Sequence, residues 1–370
     1  MTSDNAKKTN FLTSQHWFHR HWPAFAQMIR VMIACAVTYA IVKLFGLTQG
    51  FWALLTVLIV MQGSVGATLD AATNRMIATI AGAIVGGIAI LLTPHEPLAI
   101  GVALVCVVGP LSFAAALNPR LRNTSVTAAI VILTRAPDMP VGTFVIDRIL
   151  EIALGGIIGV IASRFILPAH SSAALVDRLV SVLDAIADLL RHQADALEHG
   201  EAFSAGDAAV SLRTSLTTVE GLLADADRER TAMLGKHGIS GAIPRTLWRI
   251  RNDITHVSRL IETPLAPAML GAVGPQAAAL LREEADFAER CGAALNSGEL
   301  VKRGGDQAVV VAFEHAFADL RQARITEEMK FDEVGRLFGL AFALPRMRQD
   351  LLDLADRIDE TIKPDPLALH

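Results

Sequence analysis

Cysteine and aromatic residues are scarce in this chain of 370 residues, which has three cysteines, one tyrosine and 5% aromatic residues in all. Cys35 and Cys106 lie in apolar runs, Cys291 lies in the polar part of the chain, and no CxxC pair occurs. We therefore expect neither disulfide bridges nor thiolate metal sites. The sequence also has no glycine-rich loop followed by lysine, which argues against a protein driven by ATP.

Charged residues are also few, at 19% against 52% hydrophobic residues, and this composition is too apolar for a soluble domain of this size. The balance between positive and negative residues differs between two parts of the chain. Residues 1–167 carry 11 Lys and Arg against 6 Asp and Glu, whereas residues 168–370 carry 22 against 31. The sequence therefore predicts a basic membrane part and an acidic soluble part, and neither has the clustered positive charge of a nucleic-acid-binding protein.

An apolar stretch with an arginine at its start and two glycines four residues apart occurs twice in the first part of the chain. The repeat places three pairs of residues 73 positions apart: Arg75 and Arg148, Gly82 and Gly155, and Gly86 and Gly159. Small residues four apart in apolar helices let two backbones approach closely. We expect these four glycines to pack the two repeats against each other or against a second subunit.

Six apolar runs predict six transmembrane helices, at residues 28–45, 51–61, 76–92, 98–117, 124–134 and 149–167. The second and fifth runs have 11 residues each, and as helices they would be only about 16 Å long, short of a hydrocarbon core of about 30 Å. They are also 73 positions apart, so each repeat is long, short, long. Because three crossings reverse the chain direction, we expect the second repeat to be inverted, a pattern typical of secondary transporters.

The predicted fold class is an all-α membrane protein with six transmembrane segments in two inverted three-helix repeats, followed by a cytoplasmic helical bundle. Residues 1–27 are expected to form an N-terminal tail with an interfacial aromatic segment. Residues 28–167 are the predicted transmembrane domain, with repeats over about 28–92 and 98–167. Residues 168–370 have apolar residues at helical spacing, which predicts the bundle. Excess Lys and Arg in alternate connections predicts that both termini are cytoplasmic.

Polar residues near the two short runs are the candidate substrate-binding residues: Thr56, Gln62, Arg75, Arg135 and Arg148. Gln62 and Arg135 are again 73 positions apart. Guanidinium groups bind carboxylates in a bidentate manner, which favours an organic anion as the substrate. The alternative for Arg75 is a cytoplasmic anchor that obeys the positive-inside rule.

Two acidic residues near Arg148 are the candidate proton-coupling residues. Glu151 is the only acidic residue inside a predicted span, and Asp147 lies four residues before it. A carboxylate that is partly removed from water beside an arginine can exchange protons near working pH. The alternative is that Glu151 only neutralises Arg148. The sequence shows no nucleophile–base pair and no metal-ligand spacing, so we expect no catalytic residue, no cofactor, no metal and no enzymatic activity.

Three motifs follow one another closely in the first repeat: Phe51-Trp52-Ala-Leu-Leu-Thr56-Val57, Gln62-Gly-Ser64-Val65-Gly66-Ala67-Thr68 and Arg75-x-x-Ala78-Thr79-x-x-Gly82-x-x-x-Gly86. Together they resemble the fusaric acid resistance protein-like, or aromatic acid exporter, family, and plant aluminium-activated malate transporters look like distant relatives. The clearest similarity covers about residues 50–92. Members often have proline at the position of Gly63 and glycine at the position of Ala78. Many relatives carry two membrane-plus-soluble halves in one chain, so the resemblance implies a homodimer here.

These observations together predict an exporter of organic anions in the bacterial inner membrane, with aromatic or amphipathic carboxylates as substrates and protons as the coupling ion. One alternative is an organic-anion channel, as the malate transporters suggest. Another is a non-transporting membrane scaffold or envelope-assembly protein. The expected partners are a small organic anion, the lipid bilayer, a second copy of the chain and, to complete the export path, a periplasmic adaptor protein. We expect no nucleic acid.

Overall fold

A computed structural model of the chain describes residues 2–47, 49–94, 96–134, 139–168, 170–232, 238–305, 307–322 and 330–363. The side chains of residues 2–21, 23 and 321 lie outside this description, and with them Trp17 and Phe18 of the predicted interfacial segment. Within the described ranges all regular secondary structure is helical, so the predicted all-α fold is confirmed. The chain divides into two compact units, Met1–Ser171 with Asp227–Gly235, and Ser172–Ala226 with Lys236–His370.

The N-terminal part of the first unit contains six helices: α1 (Thr2–Leu44), α2 (Phe51–Val60), α3 (Val65–Leu92), α4 (Pro97–Leu117), α5 (Thr124–Thr134) and α6 (Val141–Phe165). A short 3-10 turn, Pro119–Leu121, precedes α5. Three of the described helical segments are long and apolar enough to cross a membrane: Ala24–Leu44, Val65–Leu92 and Pro97–Leu117. Helix α2 is apolar but shorter. The arrangement of six spans in two inverted repeats stays a prediction.

Helices α3 and α6 begin earlier than their apolar runs indicated, at Val65 and Val141. Polar side chains in the first turns of α3 interrupt the apolar pattern, but Ser64 caps the helix, because its hydroxyl accepts a hydrogen bond from a backbone N–H of the first turn at 3.1 Å. Consequently Arg75 and Arg148 lie inside these helices and not at their starts.

Two glycine-containing helices of the first unit, α3 and α6, each approach a short helix closely. A Cβ atom at Gly82 of α3 would lie 2.5 Å from the carbonyl oxygen of Thr124 at the start of α5. A Cβ atom at Gly155 of α6 would clash with the carbonyl oxygen of Ala53 in α2. One turn further on, a Cβ atom at Gly86 would lie 3.0 Å from the carbonyl oxygen of Ala128 in α5, whereas a Cβ atom at Gly159 would meet the side chain of Val60 in α2. Backbone therefore touches backbone where α3 meets α5 and where α6 meets α2.

Two side chains of α1 donate hydrogen bonds to the connection between α2 and α3. The amide nitrogen of Gln27 donates to the carbonyl oxygen of Met61 at 3.3 Å, and Nη1 of Arg30 donates to that of Gly63 at 3.4 Å. Carbonyl groups at the end of a helix lack partners within the helix and carry partial negative charge. A cation is therefore favourable here, and Arg30 is only 1% exposed.

The remaining helices lie wholly or mainly in the second unit: α7 (Ser171–His199), α8 (Gly206–Thr231), α9 (Ala242–Leu260), α10 (Pro267–Ser297), α11 (Gln307–Gln322) and α12 (Phe331–Ile362). The core of this unit is formed by apolar residues at the three- and four-residue spacing read from the sequence. On α12 the buried members are Leu337, Leu340, Leu344, Met347, Leu351, Leu354 and Ile358. Stripes of this kind pack helix against helix.

The last turn of α8 belongs to the first unit and carries a buried carboxylate. Glu229 is 2% exposed, and its Oε1 accepts hydrogen bonds from the N–H of Gly66 at 2.8 Å and from the N–H and hydroxyl of Ser171 at 3.0 and 2.7 Å. Both donors lie in the first turns of helices, α3 and α7, where a negative charge is favourable. An ion pair between Arg228 and Asp70, at 3.3 Å, holds the next turn of α3. This segment therefore fixes the start of α3.

Candidate functional site

A buried arginine in the first unit lies between two aromatic rings. Arg148 of α6 is 2% exposed. Its guanidinium carbon lies 4.0 Å from the ring centroid of Trp52 in α2 and 5.2 Å from that of Phe144, one turn earlier on α6. Aromatic faces attract cations, most strongly where water is excluded. One terminal nitrogen, Nη2, donates a hydrogen bond to the amide oxygen of Gln49 at 3.0 Å.

Most of the hydrogen-bonding capacity around this arginine is unused. Within the part of the chain that the structure describes, Nε and Nη1 of Arg148 and the indole nitrogen of Trp52 are buried and have no hydrogen-bond partner. A buried donor without an acceptor is unfavourable by about 1–3 kcal/mol, and by more if it is charged. Three such nitrogens around one guanidinium group indicate a site that a ligand with acceptor oxygens would complete.

A second buried arginine, Arg75 of α3, contributes to the same charged region. It is 5% exposed, and its Nε also has no partner among the described residues. Its charge acts on Arg148 and opposes the positive charge there. The structure thus brings into electrostatic contact two arginines that are 73 positions apart in sequence. Because two positive charges in a buried region repel each other, an anion between them would be stabilised.

Glu151 follows Arg148 by one turn on α6 and is 6% exposed. The backbone N–H of Gln49 acts electrostatically on its carboxylate, whose Oε2 has no hydrogen-bond partner within the described ranges. The carboxylate attracts Arg148 electrostatically. However, Nε and Nη1 of Arg148 are unpaired, so the two side chains do not form a bidentate pair. Glu151 therefore neutralises Arg148 only in part.

A cavity of about 440 Å³ adjoins this carboxylate. Its acidic lining comes from Asp147 and Glu151, and its other lining residues are Ile41, Phe45, Gly46, Leu47, Leu150 and Leu154. A concave site of this size, mostly apolar with a few polar groups, suits a small organic ligand. Both candidate proton-coupling residues therefore line a space that a ligand can enter.

The other candidate substrate-binding residues add no unpaired donor to this cluster where the structure describes them. Thr56 is buried in α2, and its hydroxyl donates to the carbonyl oxygen of Trp52 at 2.7 Å. Gln62 lies beyond the far end of α2, about 15 Å from its start. It is exposed, and its amide donates to the carbonyl oxygen of Ile59 at 3.1 Å. Arg135 lies outside the described residues.

Three residues of the cluster were not among the candidates from sequence: Gln49, Trp52 and Phe144. Phe144 precedes Arg148 by four positions on one helix, so its spacing was a usable signal. Trp52 belongs to a family motif, but its contact with Arg148 is tertiary. Gln49 lies in a connection without periodicity, and its bond to Arg148 spans 99 positions. No pattern in the sequence indicated that contact.

The family model described as fusaric acid resistance protein-like matches residues 20–162. This match confirms the family resemblance that the motifs of residues 50–92 indicated, and it also covers the cluster around Arg148. The proteins of this family are membrane transporters. The family match and the apolar helices together indicate a membrane location and a transport function. Among curated proteins, no match to the chain was found.

Proposed function

We propose that this protein, whose residues 20–162 carry the fusaric acid resistance-like domain, is a proton-coupled exporter of organic carboxylates. It would act in the bacterial inner membrane with both termini in the cytoplasm. The observation that carries the proposal is the set of unpaired nitrogens at Arg148 and Trp52. A carboxylate supplies two oxygens with acceptor capacity for such donors, and a guanidinium group binds it bidentately.

The rings around Arg148 favour an aromatic or amphipathic carboxylate. The guanidinium carbon lies over the rings of Trp52 and Phe144, so its surroundings are aromatic. An aromatic acid can pack against such rings while its carboxylate reaches the arginine. The second positive charge, at Arg75, adds long-range attraction for an anion in a region from which water is excluded.

Glu151 and Asp147 are the proposed proton carriers. Both line the cavity, and Glu151 acts electrostatically on Arg148. The charge of Glu151 acts on the same arginine that would bind the substrate carboxylate. Protonation of Glu151 changes that charge, so proton binding and anion binding should be coupled, and such coupling is reciprocal.

The proposal is tested by binding of benzoate to the purified full chain in detergent. The Arg148→Ala variant should lose at least about tenfold in affinity, because hydrogen bonds to a charged group contribute about 1.5–3 kcal/mol. Arg164→Ala is the matched control, since Arg164 lies in the last turn of the same helix and contacts Phe165. Equal affinities of wild type and Arg148→Ala would contradict the proposal.

Reconstituted vesicles separate the proposed exporter from the two alternatives. An exporter concentrates benzoate against its gradient, and this accumulation collapses when an uncoupler is added. A channel gives a steady anion conductance that does not depend on protons. A membrane scaffold moves no anion in either assay.

A further inference from the structure

Gln49 lies next to both charged residues of the site on α6. Its side-chain oxygen accepts a hydrogen bond from Nη2 of Arg148 at 3.0 Å, and its backbone N–H acts electrostatically on the carboxylate of Glu151. It lies in the connection between α1 and α2, where its carbonyl oxygen accepts a hydrogen bond from the N–H of Trp52 at 3.1 Å. One residue outside any helix thus joins the candidate carboxylate site to the candidate proton site.

The bond between Gln49 and Arg148 leaves the arginine poorly satisfied. A guanidinium group has five N–H donors in a planar fork, and a carboxylate pairs with two of them at once. A neutral amide oxygen forms a weaker bond than a carboxylate does. Nε and Nη1 of Arg148 remain without a partner in the described part of the chain. The amide oxygen therefore satisfies one terminal nitrogen of the guanidinium group and leaves two of its nitrogens without an acceptor.

We propose that the side chain of Gln49 is an internal competitor, which occupies Arg148 in the empty protein and is displaced by the carboxylate of the substrate. This inference rests on the proposed function, because it takes Arg148 as the substrate-binding group. A ligand then has to bind Arg148 more tightly than the amide of Gln49 does in order to displace it. Ligands with a carboxylate displace the amide, whereas neutral ligands of the same shape do not.

Two substitutions at this one position should change benzoate affinity in opposite directions. Gln49→Met keeps the length of the side chain but removes the acceptor oxygen. The Kd for benzoate should therefore fall by about tenfold, which is the lower end of what one hydrogen bond to a charged group contributes. Gln49→Glu places a fixed carboxylate on Arg148, so the Kd should rise by about 100-fold, because a charge-assisted bidentate contact must now be displaced.

Opposite shifts would not arise if Gln49 only supported the fold, since both substitutions would then weaken binding. Gln49→Leu lacks the same acceptor and serves as a second variant if Gln49→Met unfolds. Benzamide, which has the shape of benzoate without its charge, is the ligand control. Its affinity should stay low in wild type and in every variant that retains Arg148.

The Arg148→Ala variant separates failure of this inference from failure of the proposed function. If Arg148→Ala loses benzoate binding while wild type, Gln49→Met and Gln49→Glu bind it equally, the internal competitor is overturned and the carboxylate site stands. If both Gln49 variants bind more weakly than wild type, the inference is likewise overturned. If Arg148→Ala binds benzoate like wild type, the proposed function and the inference are both overturned.

Discussion

The two units differ in whether their buried charged side chains have a partner of opposite charge. Among the described residues of the second unit, each buried carboxylate has a cationic partner: Glu284 accepts from Arg348 at 2.7 Å, and Asp253 lies 3.5 Å from Arg346. In the described part of the first unit, three buried arginines have no carboxylate within 4.0 Å: Arg30, Arg75 and Arg148. Removing one partner of a buried pair is strongly destabilising, whereas an unpaired buried charge is itself unfavourable and therefore marks a candidate functional site.

The largest expected effect comes from breaking a pair in the second unit. Arg348→Ala leaves Glu284, which is 0% exposed, as an uncompensated buried charge. We expect a loss of about 3 kcal/mol in unfolding free energy. The control is Arg357→Ala on the same helix, whose ion pairs with Asp353 and Glu360 are screened by solvent and should contribute much less. Calorimetry of the full chain measures both.

The corresponding change in the first unit should not destabilise the protein. Arg148→Met removes an incompletely paired buried charge and keeps most of its volume. We expect the unfolding free energy without ligand to stay equal or to rise by about 1 kcal/mol. A loss as large as that of Arg348→Ala would show that Arg148 supports the fold, and the contrast between the units would disappear.

An effect smaller than that of Arg348→Ala concerns the close approach of helices in the first unit. Gly155→Ala places a methyl group against the carbonyl oxygen of Ala53, so we expect a loss of about 2 kcal/mol. Its neighbour provides a matched control, since a Cβ atom at Gly156 would lie 3.8 Å from the Cβ of Ala72, an ordinary contact. Gly156→Ala should be neutral or slightly stabilising. Equal melting temperatures for the two variants would refute the close approach of α6 to α2.

The last expected effect is a pH dependence of stability in the second unit. Burial, together with the adjacent carboxyl of Asp350, raises the pKa of Asp253 to about 6, although Arg346 and Arg249 oppose this shift. The folded state therefore binds this proton more tightly than the unfolded state, whose pKa is about 3.9. Its stabilising contribution is present below about pH 4 and is lost as the pH rises through about 6.

Asp253→Asn removes this titration. At about pH 7.5 the variant should be more stable than wild type by about 1 kcal/mol, and the difference should shrink towards pH 5. Melting temperatures measured across this range test the expectation. A difference that does not change with pH would show that Asp253 is not the group that titrates.

The sequence predicted the regular features of this protein better than its site. The stripe on α12 is visible as a spacing of three and four residues, because helix periodicity is a local property. The repeat likewise indicated Arg75 and Arg148. Gln49 could not be found, because its role depends on a contact with Arg148 across 99 positions. The hydrogen bond between Glu229 and Gly66 could not be predicted either, because the two residues are 163 positions apart.

The central claim is that the unpaired nitrogens of Arg148 bind a carboxylate. An experimental structure of the full chain with 4-bromobenzoate tests it directly, since the bromine atom can be located by its anomalous scattering. We predict that the carboxylate lies about 3 Å from Nε or Nη1 of Arg148, that the ring stacks on Trp52, and that the side chain of Gln49 has moved away. A fully occupied ligand elsewhere, with the bond between Gln49 and Arg148 intact, would contradict the claim.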